Sequence, residues 1–286
     1  MSDRVLGVLG RGLVDAGAPV LRADDLGLIR GDGVFETLRV HGGRAFLFDE
    51  HFDRMISGAA RMDLALGDRD RWRALTGEAL EAYGTHAGVL RLYCTRGAEG
   101  ETTPTEYLLV RPVPESAVRE RDEGVAAVTL SLGVPADVRR RAPWLLGGVK
   151  TTSYAVAMAA KREAERRGAQ DAIWVSTDDQ VLEGATSTVV VVSREHAWTP
   201  PDDTGILPGT TLGGVRRMAG PLGLDVGTRA TTVDELRRAD EVLLLGSIRG
   251  VAAVRLLDGS PVGTGAVGPV AQALGKALEA EITGAG

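Results

Sequence analysis

The sequence is poor in the residues that form disulfide frameworks and zinc sites. It has one cysteine, Cys94, and four histidines in 286 residues. A single thiol cannot form an intramolecular disulfide, and so few histidines argue against a zinc site built from cysteine and histidine ligands. We therefore expect a protein without disulfide bonds and without a metal site.

Long apolar runs and a positive net charge are also missing. No run reaches the about 18 apolar residues of a membrane span, and the N-terminus, Met1-Ser2-Asp3-Arg4, has no apolar signal core. The net charge of −6 argues against a general nucleic-acid-binding protein. Two local basic clusters, Arg139-Arg140-Arg141 and Arg216-Arg217, are interpreted as surface or interface charges. These features predict a cytoplasmic protein with no membrane or nucleic-acid partner.

Lysine is rare, because only Lys150, Lys161 and Lys276 are lysines among 33 basic residues. Lys161 and Lys276 lie in polar, helix-like segments and are interpreted as solvated. Lys150 instead follows two glycines and a valine, where backbone or ligand can approach closely. A desolvated lysine amine can lose its proton and attack an aldehyde, which a guanidinium cannot do. Lys150 is therefore a candidate Schiff-base residue, and the alternative is a lysine at a strand end whose amine reaches water.

The length and composition are sufficient for two ordinary domains. Hydrophobic residues make up 44% of the chain and charged residues 25%. Alternating strands and helix-like segments predict an α+β unit over residues 1–111. Two prolines, Pro112 and Pro114, predict an extended linker over 112–120, followed by a second domain over 121–286. The expected fold class is α/β.

Several elements of the first unit can be placed from local patterns. The strand at 34–40 alternates, so Val34, Glu36, Leu38 and Val40 are expected on one face. Asp49 is a plausible N-cap for a helix over 50–60. A helix over 69–83 and strands over 89–96 and 106–111 are also expected.

Three motifs each have two interpretations, and a fourth residue, Glu183, has one. Gly209-Thr210-Thr211 precedes a helix, so it either binds a phosphate through exposed N–H groups or caps the helix. Gly246-Ser247-Ile248 is either a turn at a strand end or a second phosphate donor. Arg54 is a helix-surface charge or a phosphate ligand, and Glu183 could cap a turn.

The order of these motifs resembles the fold-type IV pyridoxal-phosphate (PLP) enzymes. The matching blocks follow one another at 31–37, 49–55, Lys150, 182–184, 207–211 and 239–242. This family contains branched-chain aminotransferases, D-amino-acid aminotransferases and 4-amino-4-deoxychorismate lyases. The resemblance implies two α/β domains with PLP in the cleft between them, and Lys150 on the second. It also implies a homodimer with the active site near the interface.

The resemblance also implies roles for individual residues. Lys150 would hold PLP through a Schiff base and then move the α-proton of the substrate. Glu183 would pair with the pyridine nitrogen of the cofactor, and Tyr154, one helical turn after Lys150, would contact the lysine or the cofactor. The phosphate would be held by Arg54, Thr210, Thr211 and Ser247.

Substrate contacts are expected from Arg30, Arg91 and Ile248. Arg91 matches the arginine that branched-chain enzymes use for a distal carboxylate, although an arginine paired within the sheet is an equal alternative. Arg30 stands where many relatives have an aromatic residue. Two arginines suit a small amine that carries two carboxylates. The Arg-x-His pair of D-amino-acid enzymes is missing after Thr95-Arg96-Gly97, which disfavours that activity.

The pattern is most similar to the aminodeoxychorismate lyases. Such an enzyme would release pyruvate and leave 4-aminobenzoate, a folate precursor, without an oxo acid acceptor. The alternative is a transaminase for branched-chain or related amino acids, which has the same cofactor residues. A PLP-binding protein without turnover is a third interpretation.

Overall fold

The computed structural model describes residues 4–284, which fold into two compact units. The first contains the residues up to Pro114 together with 149–154, and the second contains 115–148 and the residues from 155 onward. The sequence assigned Lys150 to the C-terminal domain, whereas the structure places its segment in the first unit. The reason is backbone pairing, because Phe35 N donates to Lys150 O (3.1 Å) and Thr152 N donates to Gly33 O (2.8 Å).

The predicted linker over 112–120 is only partly extended. A strand ends at Pro112, and helix α4 (Glu115–Glu123) begins directly after Pro114. Whether the two units fold as separate domains stays a prediction.

The first unit is an antiparallel sheet of six strands with helices packed on one face. The strands run in the order β2-β1-β6-β5-β3-β4. Their bounds are β1 (Val5–Val8), β2 (Gly12–Val14), β3 (Gly33–His41), β4 (Arg44–Ala45), β5 (Gly88–Thr95) and β6 (Thr105–Pro112). The helices are α1 (Leu26–Ile29), α2 (Phe48–Arg61) and α3 (Arg69–Tyr83).

The predicted alternation of β3 is confirmed. Val34, Leu38 and Val40 are buried in one core with Phe52 of α2 and Trp72 of α3. Apolar side chains on one face of a strand meet the apolar stripes of the two helices, so that burying them stabilises all three elements.

The prediction of Asp49 as an N-cap is wrong. Helix α2 begins at Phe48, and the N-cap position is occupied by Leu47 in a left-handed conformation (φ 55°). Asp49 lies in the first turn instead, where a negative charge is favoured by the helix dipole. Its carboxylate pairs with Arg69 (3.0 Å) and Arg73 (2.5 Å) of α3.

The second unit is a mixed sheet of nine strands with helices. The strand order is β12-β11-β10-β13-β14-β7-β8-β9, and β15 pairs with β14. The bounds are β7 (Val125–Ser131), β8 (Asp171–Val175), β9 (Val181–Gly184), β10 (Thr188–Ser193), β11 (His196–Thr199), β12 (Val226–Thr228), β13 (Glu241–Gly246), β14 (Gly250–Leu257) and β15 (Ser260–Pro261). Besides α4, the helices are α5 (Val138–Arg141), α6 (Ala155–Arg166), α7 (Thr210–Ala219), α8 (Val233–Arg237) and α9 (Pro269–Thr283).

The structure also bears on membrane-spanning helices, groups of metal ligands and free thiols. Within residues 4–284, no helix combines the length and the apolar character that crossing a membrane requires. In the same part of the chain, no three His, Cys, Asp or Glu side chains are grouped so as to hold a metal ion. Cys94 is a free, buried thiol, and burial raises its pKa, so that it stays protonated at neutral pH.

Candidate active site

Lys150 lies against aromatic side chains of the first unit. Its Nζ atom is 4.7 Å from the centroid of the Phe35 ring and 3.0 Å from the hydroxyl oxygen of Tyr154. Phe35 and Tyr154 pack edge to face with their centroids 5.0 Å apart. The amine is therefore held between a ring face and a phenol, which is a partly buried position.

The contact between Lys150 and Tyr154 was predicted, but its geometry differs. The sequence placed Tyr154 one helical turn after the lysine, whereas α6 begins only at Ala155. The segment 151–154 instead lies alongside β3, because Thr151 forms a β-bridge with Val34. The phenol reaches back to the amine from this non-helical segment.

The Gly31-Asp32-Gly33 motif makes room for the lysine segment. Gly31 has φ of +69°, and a Cβ atom there would lie 2.3 Å from Ser153 Oγ. A Cβ atom on Gly33 would lie 2.7 Å from the carbonyl oxygen of Cys94. A side chain on Gly31 would push 149–154 away from β3, so this glycine helps to position Lys150, whereas a side chain on Gly33 would first collide with β5.

Arg54 belongs to a buried charged cluster with Glu36 and His51. Its Nε and Nη2 atoms donate to the two carboxylate oxygens of Glu36 at 2.7 and 2.8 Å. His51 Nδ1 is 2.7 Å from Glu36 Oε2. The sequence left Arg54 as either a surface charge or a ligand, and the structure buries it, with 12% of its side chain exposed.

The charges of this cluster follow from burial and pairing. Burial alone would raise the pKa of Glu36, but the Arg54 charge and the hydrogen bonds from His51 and Arg54 lower it to about 2. Burial and the charges of Arg54 and Lys150 lower the pKa of His51 despite the opposing effect of Glu36, so the imidazole is neutral near pH 7 and donates from Nδ1. Sequence reasoning missed Glu36 and His51 as members of the site.

Arg91 continues the row of side chains that starts at Lys150. Phe35 is opposite Tyr93 in the β3–β5 pairing, and their rings stack at 5.7 Å. Arg91 Nη1 donates to the Tyr93 hydroxyl at 3.4 Å. Lys150, Phe35, Tyr93 and Arg91 thus follow one another on one face of the sheet, opposite the core.

A second arginine lies beside Arg91 and was missed by sequence reasoning. Arg91 is opposite Leu109 on β6 and Arg111 is opposite Val89, so both arginines point to the same face in neighbouring rows. The Nε atoms of both are buried and have no hydrogen-bond partner. Burial and the charge of Arg91 lower the pKa of Arg111. The strand register reveals this pair, which the linear sequence does not.

Arg30 does not join this row. It is exposed at the end of α1 and pairs with Glu99 at 2.7 Å. The structure of the first unit therefore brings together Lys150, Tyr154 and Phe35, and extends that row to Arg91, but it gives Arg30 a separate surface position.

Glu183 has two fixed partners in the second unit. Its Oε1 atom is 3.2 Å from Arg139 Nη1, and its Oε2 atom accepts a hydrogen bond from Leu207 N at 3.0 Å. Arg139 was interpreted as a surface or interface charge, but only 18% of its side chain is exposed, so most of it is buried beside Glu183. A Cβ atom on Gly147 or Gly205 would lie 2.7 or 2.6 Å from Arg139 Cβ, so these glycines allow α5 to approach.

The Gly209-Thr210-Thr211 motif forms the start of α7, as predicted. Gly209 is the N-cap residue, and no side chain caps the helix, so the interpretation of Thr210 or Thr211 as an ordinary cap is wrong. A Cβ atom on Gly209 would lie 2.3 Å from Thr188 Oγ1. The glycine therefore lets the helix start lie directly against β10.

Ser247 and Ile248 lie in a turn next to the same strands. Gly246 pairs with Gly250, and Thr188 of β10 pairs with Leu245 of β13. The second unit thus brings the Ser247 turn, the Gly209 turn and the end of β9 to neighbouring positions. Glu183, Thr210, Thr211, Ser247 and Ile248 are carried by these segments.

The second unit has groups that suit a ligand with a phosphate and a ring nitrogen. Ser187 Oγ and Arg139 Nη2 are buried without a hydrogen-bond partner. The N-cap residue of α7 is a glycine, which has no side chain to cap the helix, and a helix start favours an anion. Glu183 supplies an oriented carboxylate that can accept a hydrogen bond from a protonated ring nitrogen. These residues fit PLP.

Comparisons with known proteins agree with this chemistry. Residues 33–257 match the family model described as amino-transferase class IV. The chain is 43% identical over 257 residues to a bifunctional aminodeoxychorismate lyase / D-amino acid transaminase of Mycobacterium tuberculosis, covering 86% of this chain and 89% of that protein. It is 32% identical over 270 residues to a D-alanine aminotransferase of Bacillus licheniformis, covering 91% and 90% of the two chains.

Solved structures give the same result for fold and cofactor. A hypothetical aminotransferase from Mycobacterium tuberculosis in its PLP-bound form has a TM-score of 0.92 and 40% identity, covering 99% of this chain and 100% of that one. The form with alpha-ketoglutarate and PMP bound has a TM-score of 0.93 at the same identity and coverage. The predicted α/β fold and PLP cofactor are confirmed. The chain therefore belongs to the class IV aminotransferases and is a PLP-dependent enzyme.

Proposed function

We propose that this enzyme is an aminodeoxychorismate lyase, which releases pyruvate and leaves 4-aminobenzoate. The observation that carries the proposal is the pair formed by Arg91 and Arg111. Both have a buried Nε atom without a partner, and their like charges lie on one sheet face. Partly buried cations are normally paired, so this pair favours an anionic ligand. A substrate with two carboxylates fits better than one with an apolar side chain.

The reaction assigns a task to each side chain. PLP, when bound, supplies the electron sink for the carbanion. Lys150 holds the cofactor and removes the proton from the substrate carbon that carries the amine, and Tyr154 positions the lysine amine through its hydroxyl. Glu183, oriented by Arg139, keeps the pyridine nitrogen protonated. Arg54, Thr210, Thr211 and Ser247 hold the phosphate.

Substrate binding is proposed for Arg91, Arg111, Arg30 and Ile248. Arg91 and Arg111 bind one carboxylate at the end of the row that starts at Lys150. Arg30 is exposed on α1 and is proposed to bind the second carboxylate after exchanging its ion pair with Glu99. An exposed ion pair contributes only about 0–1 kcal/mol, so this exchange costs little.

The test is an assay of the purified enzyme with aminodeoxychorismate and no oxo acid. We expect equal amounts of pyruvate and 4-aminobenzoate, measured by a coupled dehydrogenase and by fluorescence. Lys150→Ala is the control, and it should form neither product. If the wild-type enzyme with bound PLP also forms neither, the lyase proposal is wrong.

D-Amino-acid transamination is the second candidate. The sequence disfavoured it because an Arg-x-His pair is missing, but the 43% identical relative carries both activities in its name. The absence of that pair is therefore a weak argument against the activity. The test supplies D-alanine or L-leucine with alpha-ketoglutarate. Turnover with D-alanine supports this candidate, and turnover with L-leucine supports a branched-chain enzyme. If neither amino acid is turned over, the result supports a dedicated lyase.

A homodimer is proposed from the resemblance, and a cytoplasmic location is proposed from the single free cysteine. An apolar surface is consistent with self-association, because Trp144 is 77% exposed and Leu145 is 47% exposed. Light scattering coupled to size-exclusion chromatography should give twice the chain mass of 30.1 kDa. Trp144→Ser should shift the mass towards that of one chain.

A further inference from the structure

Arg249 is a buried cation directly after the Ser247-Ile248 turn. β13 ends at Gly246 and β14 begins at Gly250, and these two residues pair with each other. Ser247, Ile248 and Arg249 are therefore the whole turn of a hairpin. Only 8% of the Arg249 side chain is exposed.

The guanidinium of Arg249 is held by two carboxylates. Its Nη2 atom is 2.5 Å from Asp171 Oδ2, and its Nη1 atom is 3.0 Å from Glu120 Oε2. Asp171 is fully buried. Burial would lower the pKa of Arg249, but the two carboxylates raise it, so the arginine stays charged. A buried ion cluster costs desolvation energy, which its pairing must offset, so removing one partner of such a cluster is strongly destabilising.

Asp171 ties this cluster to the strand that carries Glu183. It is the first residue of β8, which pairs with β9 at Ile173 and Gly184. The next residue, Ala172, accepts a hydrogen bond from Ala185 N at 2.8 Å. Arg249 is thus anchored at the end of β8 that lies beside Glu183 and Gly184 at the end of β9.

We propose that Arg249 is a positioning residue that fixes the Ser247-Ile248 turn against β8, so that the turn is preorganised for the cofactor phosphate. The inference rests on the proposed contact between Ser247 and the phosphate. A phosphate site loses affinity when its donors are displaced by a fraction of an ångström, and Arg249 prevents this displacement through two charged hydrogen bonds.

The experiment compares PLP with pyridoxal, which lacks the phosphate. Arg249→Gln alone would leave Asp171 as an unpaired buried charge and could unfold the unit. The variant is therefore the double substitution Asp171→Asn with Arg249→Gln, which removes the charges of Arg249 and of the fully buried Asp171, keeps hydrogen-bonding groups, and leaves only the more exposed Glu120 charged. Kd values are measured from cofactor absorbance, with circular dichroism as a check on folding.

We expect the double variant to bind PLP at least about tenfold more weakly, while its Kd for pyridoxal changes less than about twofold. The matched control is Arg121→Gln, which breaks an ion pair from the same helix α4 to Glu279 (2.7 Å). It should leave both Kd values unchanged. Equal weakening for PLP and pyridoxal would show a general structural role and overturn the inference.

Ser247→Ala separates this inference from the proposed function. If Ser247→Ala weakens PLP binding and the double variant does not, Arg249 is not a positioning residue while the phosphate contact stands. If neither variant weakens PLP binding, the proposed Ser247 contact is wrong and the inference falls with it. The lyase assay of the wild-type enzyme is independent of both results.

Discussion

Glu36 holds the guanidinium of Arg54 by a two-point ion pair, with Nε to Oε1 at 2.7 Å and Nη2 to Oε2 at 2.8 Å. This geometry fixes the plane of the guanidinium as well as its position. Glu36 is fully buried and Arg54 nearly so. The carboxylate therefore both neutralises and orients the arginine that is proposed to bind the cofactor phosphate.

Glu36→Gln should strongly weaken the interaction between position 36 and Arg54. A glutamine has an acceptor oxygen at one terminal atom and an NH2 donor at the other, so it cannot accept from Arg54 at both positions as Glu36 does, and the arginine charge is left uncompensated in the core. We expect the free energy of unfolding of the apo-enzyme to fall by about 3–5 kcal/mol and PLP affinity to fall as well. Asp49→Asn is the control, because Asp49 pairs with Arg69 and Arg73 on the surface. Asp49→Asn should lower the free energy of unfolding, measured by urea denaturation, by about 1 kcal/mol or less.

Stability should decrease in acid in two steps. The pKa of His51 is below its ordinary value of 6.5, so the unfolded chain binds a proton that the folded chain does not as pH falls below that value. The pKa of Glu36 falls from 4.5 to about 2, so its contribution, on the order of 3 kcal/mol, is present above pH 4.5 and is lost as pH falls through about 2. Unfolding free energies measured in urea between pH 7 and about pH 2 test both steps. Glu36→Gln should remove the second one, and a profile unchanged by that substitution would contradict the assignment.

Arg111 should increase the affinity for the substrate while lowering the free energy of unfolding, or leaving it unchanged. Removing its charge relieves repulsion with Arg91, so Arg111→Gln should leave the unfolding free energy unchanged or raise it. KM for aminodeoxychorismate should rise about 10-fold to 100-fold, because a charged hydrogen bond contributes about 1.5–3 kcal/mol. Arg119→Gln, on an arginine with 62% of its side chain exposed, should change neither quantity. A fall in kcat at constant KM would contradict a binding role.

Local patterns in the sequence were enough to find the residues with distinctive chemistry. Lys150 was recognisable because lysine is rare in this chain and because glycines precede it. The alternation of β3 and the helix at 69–83 followed from periodicity, and both are confirmed. These features depend on neighbours in the chain, which a sequence displays directly.

Features that depend on distant pairing were not predictable. Arg139 is one of three consecutive arginines, and only the packing of Gly147 and Gly205 against α5 directs it to Glu183. Arg111 meets Arg91 through the register of β5 and β6, which no local pattern reveals. The grouping of Lys150 with the first unit depends on distant pairing too, since its backbone pairs with a strand more than a hundred residues earlier.

Glu183 should be needed for turnover more than for folding. Glu183→Gln keeps an acceptor for Leu207 N but removes the charge that stabilises a protonated pyridine nitrogen. We expect kcat to fall by about 100-fold or more, comparable to the loss of one preorganised electrostatic contact. The thermal midpoint should also fall, because the amide has one acceptor oxygen and cannot accept hydrogen bonds from both Leu207 N and Arg139, so kcat is compared at a temperature at which the variant is folded. Stopped-flow absorbance and calorimetry measure the two quantities, and a large loss of stability with unchanged kcat would refute the role.

Gly209 should be intolerant of a side chain for a specific reason. In Gly209→Ala, the new methyl group would lie 2.3 Å from Thr188 Oγ1, so either the strand or the start of α7 must move. We expect a loss of about 1–3 kcal/mol in unfolding free energy and weaker PLP binding, with pyridoxal affinity less affected.

Thr188→Ala provides the matched rescue, because it removes the hydroxyl that the new methyl group meets. The remaining contact would be the Thr188 Cβ atom at 3.3 Å, which a small shift can relieve. The double variant should therefore be more stable than the sum of the single effects predicts, with a coupling energy of about 1 kcal/mol. Additive effects in the double-mutant cycle would show that the clash is not with Thr188 and that another contact limits position 209.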